Sequence, residues 1–377
     1  MPSLTFFPLG NADSCRIELA GNEQILFDYA ALRDPNDKNE KRCDLPAELR
    51  KDLKKAKRDS FDVVAFTHLD DDHVHGALDF FYLEHAAKYQ SKDRIKIDEL
   101  WVPAAAIIEE GLKDDARAIR AEARHRLKNG ERIRVFSRPE QLKDWLDDEG
   151  VDYEKRKHLI TDAGQLVPRF TIKEHGVEFF VHSPFASRLD DGELLDRNTD
   201  ALAMQATFVV GEETTRVILG SDLDHEALTD IVRITRAKKR EERLEWDVFK
   251  LPHHCSYLSI GPEKGTDKTA PVKETKWLYE GQGQPKAIMV APCWPIPAKN
   301  SEADKASDPP HRQAYNYHKE HTDNRKGEFC VTMEHPSIAT PDRLVIEIDA
   351  TKASLAKRFT GGAAVLVSRP APRAGAR

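Results

Sequence analysis

The feature that most constrains this chain lies at residues 61–76, FDVVAFTHLDDDHVHG, where an apolar run passes directly into three histidines and three consecutive aspartates. VVAF has the composition of a buried strand. Charged groups that follow such a strand inward cost several kcal/mol each to desolvate unless they find partners or a metal ion. The same pattern recurs along the chain. VEFFVHSP brings His182 to the end of a strand, TRVILGSD ends on Asp222, WDVFKLPHHCS ends on His253 and His254, and DPPHRQAY carries His311. Strands that deliver polar side chains from their ends into one cleft give the positional precision that a metal centre needs. A layered α/β architecture or a sandwich would do this.

The rest of the pattern fills in such an architecture. LTFFPLGNADSCRIEL and EQILFDYA read as a pair of strands, with LGNADS as turn chemistry. Residues 34–59 are charged and helical in pattern, with Leu45, Leu49 and Leu53 spaced by four. HGALDFFYLEHAAKY predicts a helix, DELWVPA a strand, and Ala104–Leu127 a second helix that opens a polar helical insertion over 104–170. ALAMQATFVV and TRVILGSD form a hairpin around GEET, and PKAIMVAPCWP is a further strand followed by a polar loop. EFCVTM, RLVIEID and AAVLVS predict a C-terminal β extension over 328–368 of a single domain spanning 1–368, followed by a disordered tail at 369–377.

Composition narrows the function classes. A net charge of −7 argues against a passive nucleic-acid binder, which would be basic, but not against a nuclease with basic groups along one groove. KDLKKAKR (51–58) and RAKKREER (236–243) are the local basic runs; each reads first as a solvated helix face and second as a phosphate contact. No apolar stretch approaches the ~20 residues of a membrane span. MPSLTFFPLG lacks a basic segment followed by an apolar one, and the five scattered cysteines read as reduced thiols, so a cytoplasmic location is expected. No phosphate-binding P-loop or Rossmann glycine fingerprint is present in the sequence.

His68, Asp70, Asp72 and His73 follow the spacing H-x-D-x-D-H. Four inward ligands on one loop are too many for a single small ion that keeps an open position, so two ions sharing the loop is the natural arrangement. Asp72 and His73 would favour one ion, His68 and Asp70 the other, and Asp222 is placed to bridge them. THLDDDHVHG resembles the T-H-x-H-x-D-H-x-x-G signature of the metallo-β-lactamase superfamily, with Asp70 in place of the second histidine. With GSD and PHHCS behind it, the chain is similar to the soluble metallo-β-lactamase-like domain of competence DNA-uptake channel proteins, over about residues 4–335.

That resemblance implies a four-layer αββα sandwich carrying the helical insertion. It implies His68, Asp70, Asp72, His73, His182, Asp222 and His253 as metal ligands, although it leaves open which of His253 and His254 binds metal. Asp72, His254 and His311 are then expected in catalysis, and Ser256 and Asn198 in substrate binding. Asp28 falls in the family's D-x-G turn, and Cys255 stands where the family has glycine. Two divalent ions are implied; the extra carboxylate shifts preference from Zn²⁺ toward Mn²⁺. The expected activity is phosphodiester hydrolysis, with DNA as the expected substrate. Trp294 is a candidate for stacking on a base. The competing readings are a hydrolase of a small ester, amide or cyclic nucleotide, and a subunit with a structural metal whose insertion binds a protein partner.

Overall fold

The computed structural model describes residues 1–185 and 200–356. Within them the chain forms two mixed sheets. The larger contains β1 (Ser3–Phe6), β2 (Cys15–Glu18), β3 (Gln24–Phe27), β4 (Ser60–Ala65), β5 (Lys96–Pro103), β6 (Ile133–Phe136) and β7 (Ile160–Thr161). The smaller contains β8 (Val177–Ser183), β9 (Ala203–Val210), β10 (Glu213–Leu219), β11 (Trp246–Lys250), β12 (Gly283–Ala291) and β13 (Glu328–Val331). The chain then returns to the larger sheet with β14 (Leu344–Ile348) and β15 (Ala353–Leu355), giving the order β15-β14-β1-β2-β3-β4-β5-β6-β7.

Both sheets change character in the middle. Strands β15 to β3 are antiparallel and β3 to β7 parallel, while β8 to β10 are antiparallel and β10 to β13 parallel. The parallel strands are covered on both faces and so read as near-continuous apolar runs. In β12, Ile288 and Val290 join the core between the sheets, whereas Ala287, Met289 and Ala291 join the core on the opposite face.

Helices cover the outer faces. Helix α1 (Leu45–Lys55) starts where the Asp44 side chain accepts from the Ala47 N–H at 3.0 Å, and buries Leu45, Leu49 and Leu53 on one face. With α2 (Asp71–Val74), α3 (Asp114–Asn129) and α4 (Glu140–Asp148) it lies on the larger sheet's side. Helix α5 (His225–Ala237), capped by Asp224, buries Ala227, Leu228, Ile231 and Val232 against the smaller sheet. Helix α6 (Arg312–Asn324) buries Ala314 and Tyr317 there too. Three cores separate four layers, which is the expected αββα sandwich.

Several local expectations change. The opening region makes three strands, not two. The helix expected from HGALDFFYLEHAAKY is a single turn over Ala77–Phe80: Gly76 enters it at φ 77°, and Phe81 is extended and bridges to Ile95. Adjacent Phe80 and Phe81 both pack on Tyr29, at 4.8 and 5.2 Å between centroids, which the extended exit allows. The helix expected over 104–127 breaks into Ala105–Ile108 and α3, with Gly111 at φ 77° between them. Residues 104–170 are partly helical as expected, but they also supply β6 and β7, so the segment is built into a layer rather than attached to it. The C-terminal extension divides between the sheets, β13 on one and β14 and β15 on the other; AAVLVS and the tail lie outside the described residues.

Candidate metal centre

The site forms where the carboxyl ends of β3 and β4 face those of β10 and β11, the two places where antiparallel pairing gives way to parallel. Loops leaving a sheet at such a switch diverge and open a crevice. Asp28 follows β3, Thr67 and His68 follow β4, Ser221 and Asp222 follow β10, and His253 and His254 follow β11. The loops are tied across the gap by Ser221 Oγ donating to Thr67 Oγ1 at 2.7 Å and by the Leu202 N–H donating to the Thr67 carbonyl at 2.8 Å.

Asp72, His73, Asp222 and His254 converge there, each offering a ligand atom within 4.8 Å of the others. His73 Nε2 lies 3.4 Å from Asp222 Oδ1 and 3.7 Å from Asp72 Oδ2, and His254 Nε2 lies 2.9 Å from Asp72 Oδ2 and 3.5 Å from Asp222 Oδ2. Both imidazoles are held from behind. His73 Nδ1 sits 3.0 Å from Asp28 Oδ2, and His254 Nδ1 sits 2.8 Å from the Pro292 carbonyl. Each acceptor fixes the proton on Nδ1 and leaves Nε2 for the centre, the outer-shell arrangement that orients metal-binding histidines. Asp28 is itself locked by the Thr67 N–H and hydroxyl, at 2.7 and 2.8 Å.

The electrostatics fit a cation. Burial works against charge on His73, but Asp28, Asp222 and Asp72 hold its pKa well above the usual range. His254 likewise is pushed up to about 10, burial being outweighed by Asp222 and the hydrogen bond to Asp72. Asp222 is held well below the carboxylate range because His254 and His73 overcome its burial. Protonated imidazoles therefore balance the carboxylates in the metal-free protein. His68 Nε2, His73 Nε2, Asp222 Oδ1 and Asp13 Oδ1 are buried without hydrogen-bond partners among the described residues. Unpaired polar atoms of mixed His and Asp type gathered at one centre are what a divalent ion would satisfy.

His68 borders this group. Its ring centroid is 3.9 Å from that of His73, Nδ1 is 3.2 Å from Ser221 Oγ, and Nε2 is 3.6 Å from Asp70 Oδ2. Burial and the neighbouring His73 lower its pKa to about 4, so the ring is neutral and can ligate. A second group, Asp13, Asp28 and His73, also has metal-binding reach. Its carboxylates are already engaged, Asp28 by Thr67 and His73, and Asp13 by the Lys250 ammonium.

Other expected residues lie elsewhere. His182 follows Val181, which is in the core between the sheets, so strand alternation turns His182 to the opposite face. There its Nε2 meets the Arg243 carbonyl at 2.9 Å and the ring lines a cavity with Ile234 and Thr235. Of the two adjacent histidines, between which the sequence leaves the choice open, His254 enters the cluster, while the His253 ring centroid stands 6.4 Å from that of His254 and outside the group. His311 is not free for catalysis, because Nδ1 accepts from the Tyr257 N–H at 3.3 Å and Nε2 donates to the Ser307 carbonyl at 3.0 Å. Ser256 is buried and its hydroxyl accepts from the Leu258 N–H, a local turn bond. Trp294 packs over Gly10, where a Cβ would come within 2.5 Å of the indole, with the Arg42 guanidinium 5.6 Å from the ring. Asn198 lies outside the described residues.

Two residues at the centre escaped the sequence reading. Lys250, 3% exposed, pairs with Asp13, 1% exposed, and donates to the Gly220 carbonyl at 2.6 Å. Asp13 Oδ2 in turn lies 3.8 Å from His73 Nε2. The signal was a lysine inside the apolar run VFKL, which needs a buried anion. The loop also carries backbone strain: His253, His254 and Cys255 have φ of 49°, 53° and 63° in succession. Side chains rarely adopt this region, and such strain concentrates at functional loops.

Several solved structures are similar to the chain. A diphosphatase of the PhnP family aligns with 78% of this chain and 87% of its own, at 11% identity and a TM-score of 0.30. The metallo-β-lactamase GOB-18 from Elizabethkingia meningoseptica aligns with 65% and 74%, at 11% identity and 0.29. Unliganded yeast PDE1 aligns with 88% and 98%, at 9% identity and 0.42. No protein-family model and no curated protein matches the sequence. The functional reading therefore rests on the side chains of the cluster.

Proposed function

We propose that this chain is a metal-dependent phosphodiester hydrolase that uses two divalent ions, Mn²⁺ or Zn²⁺, and acts on DNA. The observation that carries the reading is the convergence of Asp72, His73, Asp222 and His254, with both histidines tied at Nδ1 and turned to the carboxylates through Nε2. Asp72, His73, Asp222 and His254 would hold one ion, and His68 and Asp70 would hold the other. Bound there, such ions supply Lewis acidity and make water a nucleophile at neutral pH. The protein's own part is positional. Asp28 and the Pro292 carbonyl fix the two imidazoles, and Thr67 holds Asp28. Asp72, whose side chain is 31% exposed, is the group of the four that most meets incoming solvent and can orient a water by hydrogen bond. Lys250 offsets the carboxylates from behind.

The test is incubation of the purified protein with supercoiled plasmid, labelled single-stranded DNA and bis(p-nitrophenyl) phosphate, each with Mn²⁺, Zn²⁺, Mg²⁺ or EDTA, beside Asp222→Ala. Metal-dependent cleavage of DNA that the variant loses is the expected result. Cleavage of the small diester with DNA left intact would reject DNA and retain the phosphodiesterase. No cleavage of any substrate by protein with two ions confirmed bound would reject the hydrolase reading as stated.

A further inference from the structure

At the opposite end of the larger sheet is a cavity of about 850 Å³, between the C-terminal half of α1, the turn after it, the loop before β5 and the first residue of β5. Seven of its lining side chains are Lys or Arg and two are Asp, in a chain whose overall charge is −7. Six of these seven cations divide into two kinds, and the seventh, Lys96, lies 3.7 Å from Asp59. Arg50 donates to the Asp93 carbonyl with its guanidinium 4.9 Å from the Phe80 ring, Arg58 pairs with Asp62 at 2.7 Å, and Arg94 donates to the Phe81 carbonyl at 3.2 Å. These three are held in place by protein groups. Lys54, Lys57 and Lys92 line the same cavity, are exposed, and make no ion pair among the described residues.

Basic residues in the last turn of a helix complement its dipole, which accounts for Lys54. It does not account for Lys57, Lys92 and Arg94, which come from other segments and converge on the same space. Like charges gathered this way repel one another and raise local potential, and a bound anion relieves both. Planar guanidiniums held rigid with free lysines around them match phosphate oxygens, the first by geometry and the second by charge. Asp59 and Asp93 on the lining interrupt any continuous basic track, as a polymer backbone would require. From Ser60 beside this cavity to Ala65, β4 runs six residues toward the cluster. At ~3.3 Å per residue the two sites are about 20 Å apart.

We propose that this cavity is a binding site for a compact, multiply charged phosphate anion such as a di- or triphosphate chain, separate from the metal centre. The proposal uses none of the chemistry assigned to the His/Asp cluster. Sodium tripolyphosphate titrated calorimetrically into the full-length protein, in excess EDTA, tests it with the metal centre stripped. Wild-type protein and Asp222→Ala should both bind saturably at one site. Lys54→Glu/Lys57→Glu/Lys92→Glu should bind at least tenfold more weakly, while Lys238→Glu/Lys273→Glu/Lys276→Glu, with the same charge change on the other outer layer, should stay within twofold. Absence of saturable binding, equal weakening in the two triple variants, or an unaffected pocket variant would each overturn the site. A twenty-nucleotide oligothymidylate that binds more tightly than tripolyphosphate and loses that binding in the pocket variant would overturn the compact ligand in favour of a nucleic-acid strand.

Discussion

Replacing Lys250 by methionine keeps the length and packing of the side chain and deletes one charge from the buried back of the centre. Around it stand four carboxylates, those of Asp13, Asp28, Asp72 and Asp222. Three cations face them: Lys250 and the imidazoles of His73 and His254, whose pKa values are raised by those same carboxylates. Lys250 Nζ pairs directly with Asp13, both side chains being at most 4% exposed, and also satisfies the Gly220 carbonyl. Removing one member of a buried pair costs about 3–5 kcal/mol because the other charge stays behind without its partner. Lys250→Met should therefore lower the unfolding free energy of the metal-free protein by about that amount. The assay is urea unfolding in EDTA, followed by tryptophan fluorescence and circular dichroism together. Lys250→Met/Asp13→Asn should be less destabilised than Lys250→Met alone, since the amide carries no orphaned charge. A divalent ion that binds the native variant should restore stability as mass action requires, about 2.7 kcal/mol at a hundredfold excess over Kd. The reasoning fails if Lys250→Met unfolds within about 1 kcal/mol of wild type, below the range for a buried pair. It also fails if the double variant is the less stable of the two.

Asp28→Asn removes the carboxylate behind His73 Nδ1, and should weaken divalent-ion binding by about 10- to 100-fold, measured calorimetrically, with the fold retained by circular dichroism. Cys255 sits at φ 63°, a conformation that costs a non-glycine residue roughly 1–2 kcal/mol. Cys255→Gly should accordingly be at least as stable as Cys255→Ala in urea, and a Cys255→Val variant as stable as Cys255→Gly would refute the strain argument. Burial lowers the His182 pKa to about 4 from 6.5, so the native state holds the ring neutral while the unfolded chain takes up a proton between those values. Its contribution is complete above pH 6.5 and declines as pH falls toward 4, by at most about 3 kcal/mol. His182→Gln should flatten that part of the stability profile between pH 7 and pH 4.5, and an unchanged slope would count against it.

Much of this protein is legible before it folds, because its chemistry is written in local runs. Apolar strands ending in H-x-D-x-D-H, GSD and PHH place metal-capable side chains at strand ends, and that pattern points to a layered α/β architecture or a sandwich; the two-sheet αββα arrangement is what the resemblance adds. Asp72, His73 and Asp222 are found this way, and the hairpin of β9 and β10 follows from its two apolar runs around GEET. Helices were harder to read. Gly76 and Gly111 interrupt patterns whose apolar spacing suits a helix, and the bridge from Phe81 to Ile95 engages a backbone that the helix would have used.

What only the tertiary structure decided is which polar group meets which. His253 and His254 are adjacent and chemically identical; three successive left-handed residues turn one into the cluster and the other out of it. His311 looked available until both ring nitrogens met backbone partners, one of them 54 residues away at Tyr257. The salt bridge between Lys250 and Asp13 joins residues 237 apart in sequence. Strand periodicity acts over two residues and helix periodicity over three or four, so neither carries information about such pairings. They are set where the two sheets close on each other, because a charge buried there has to be matched by whatever the opposite sheet presents.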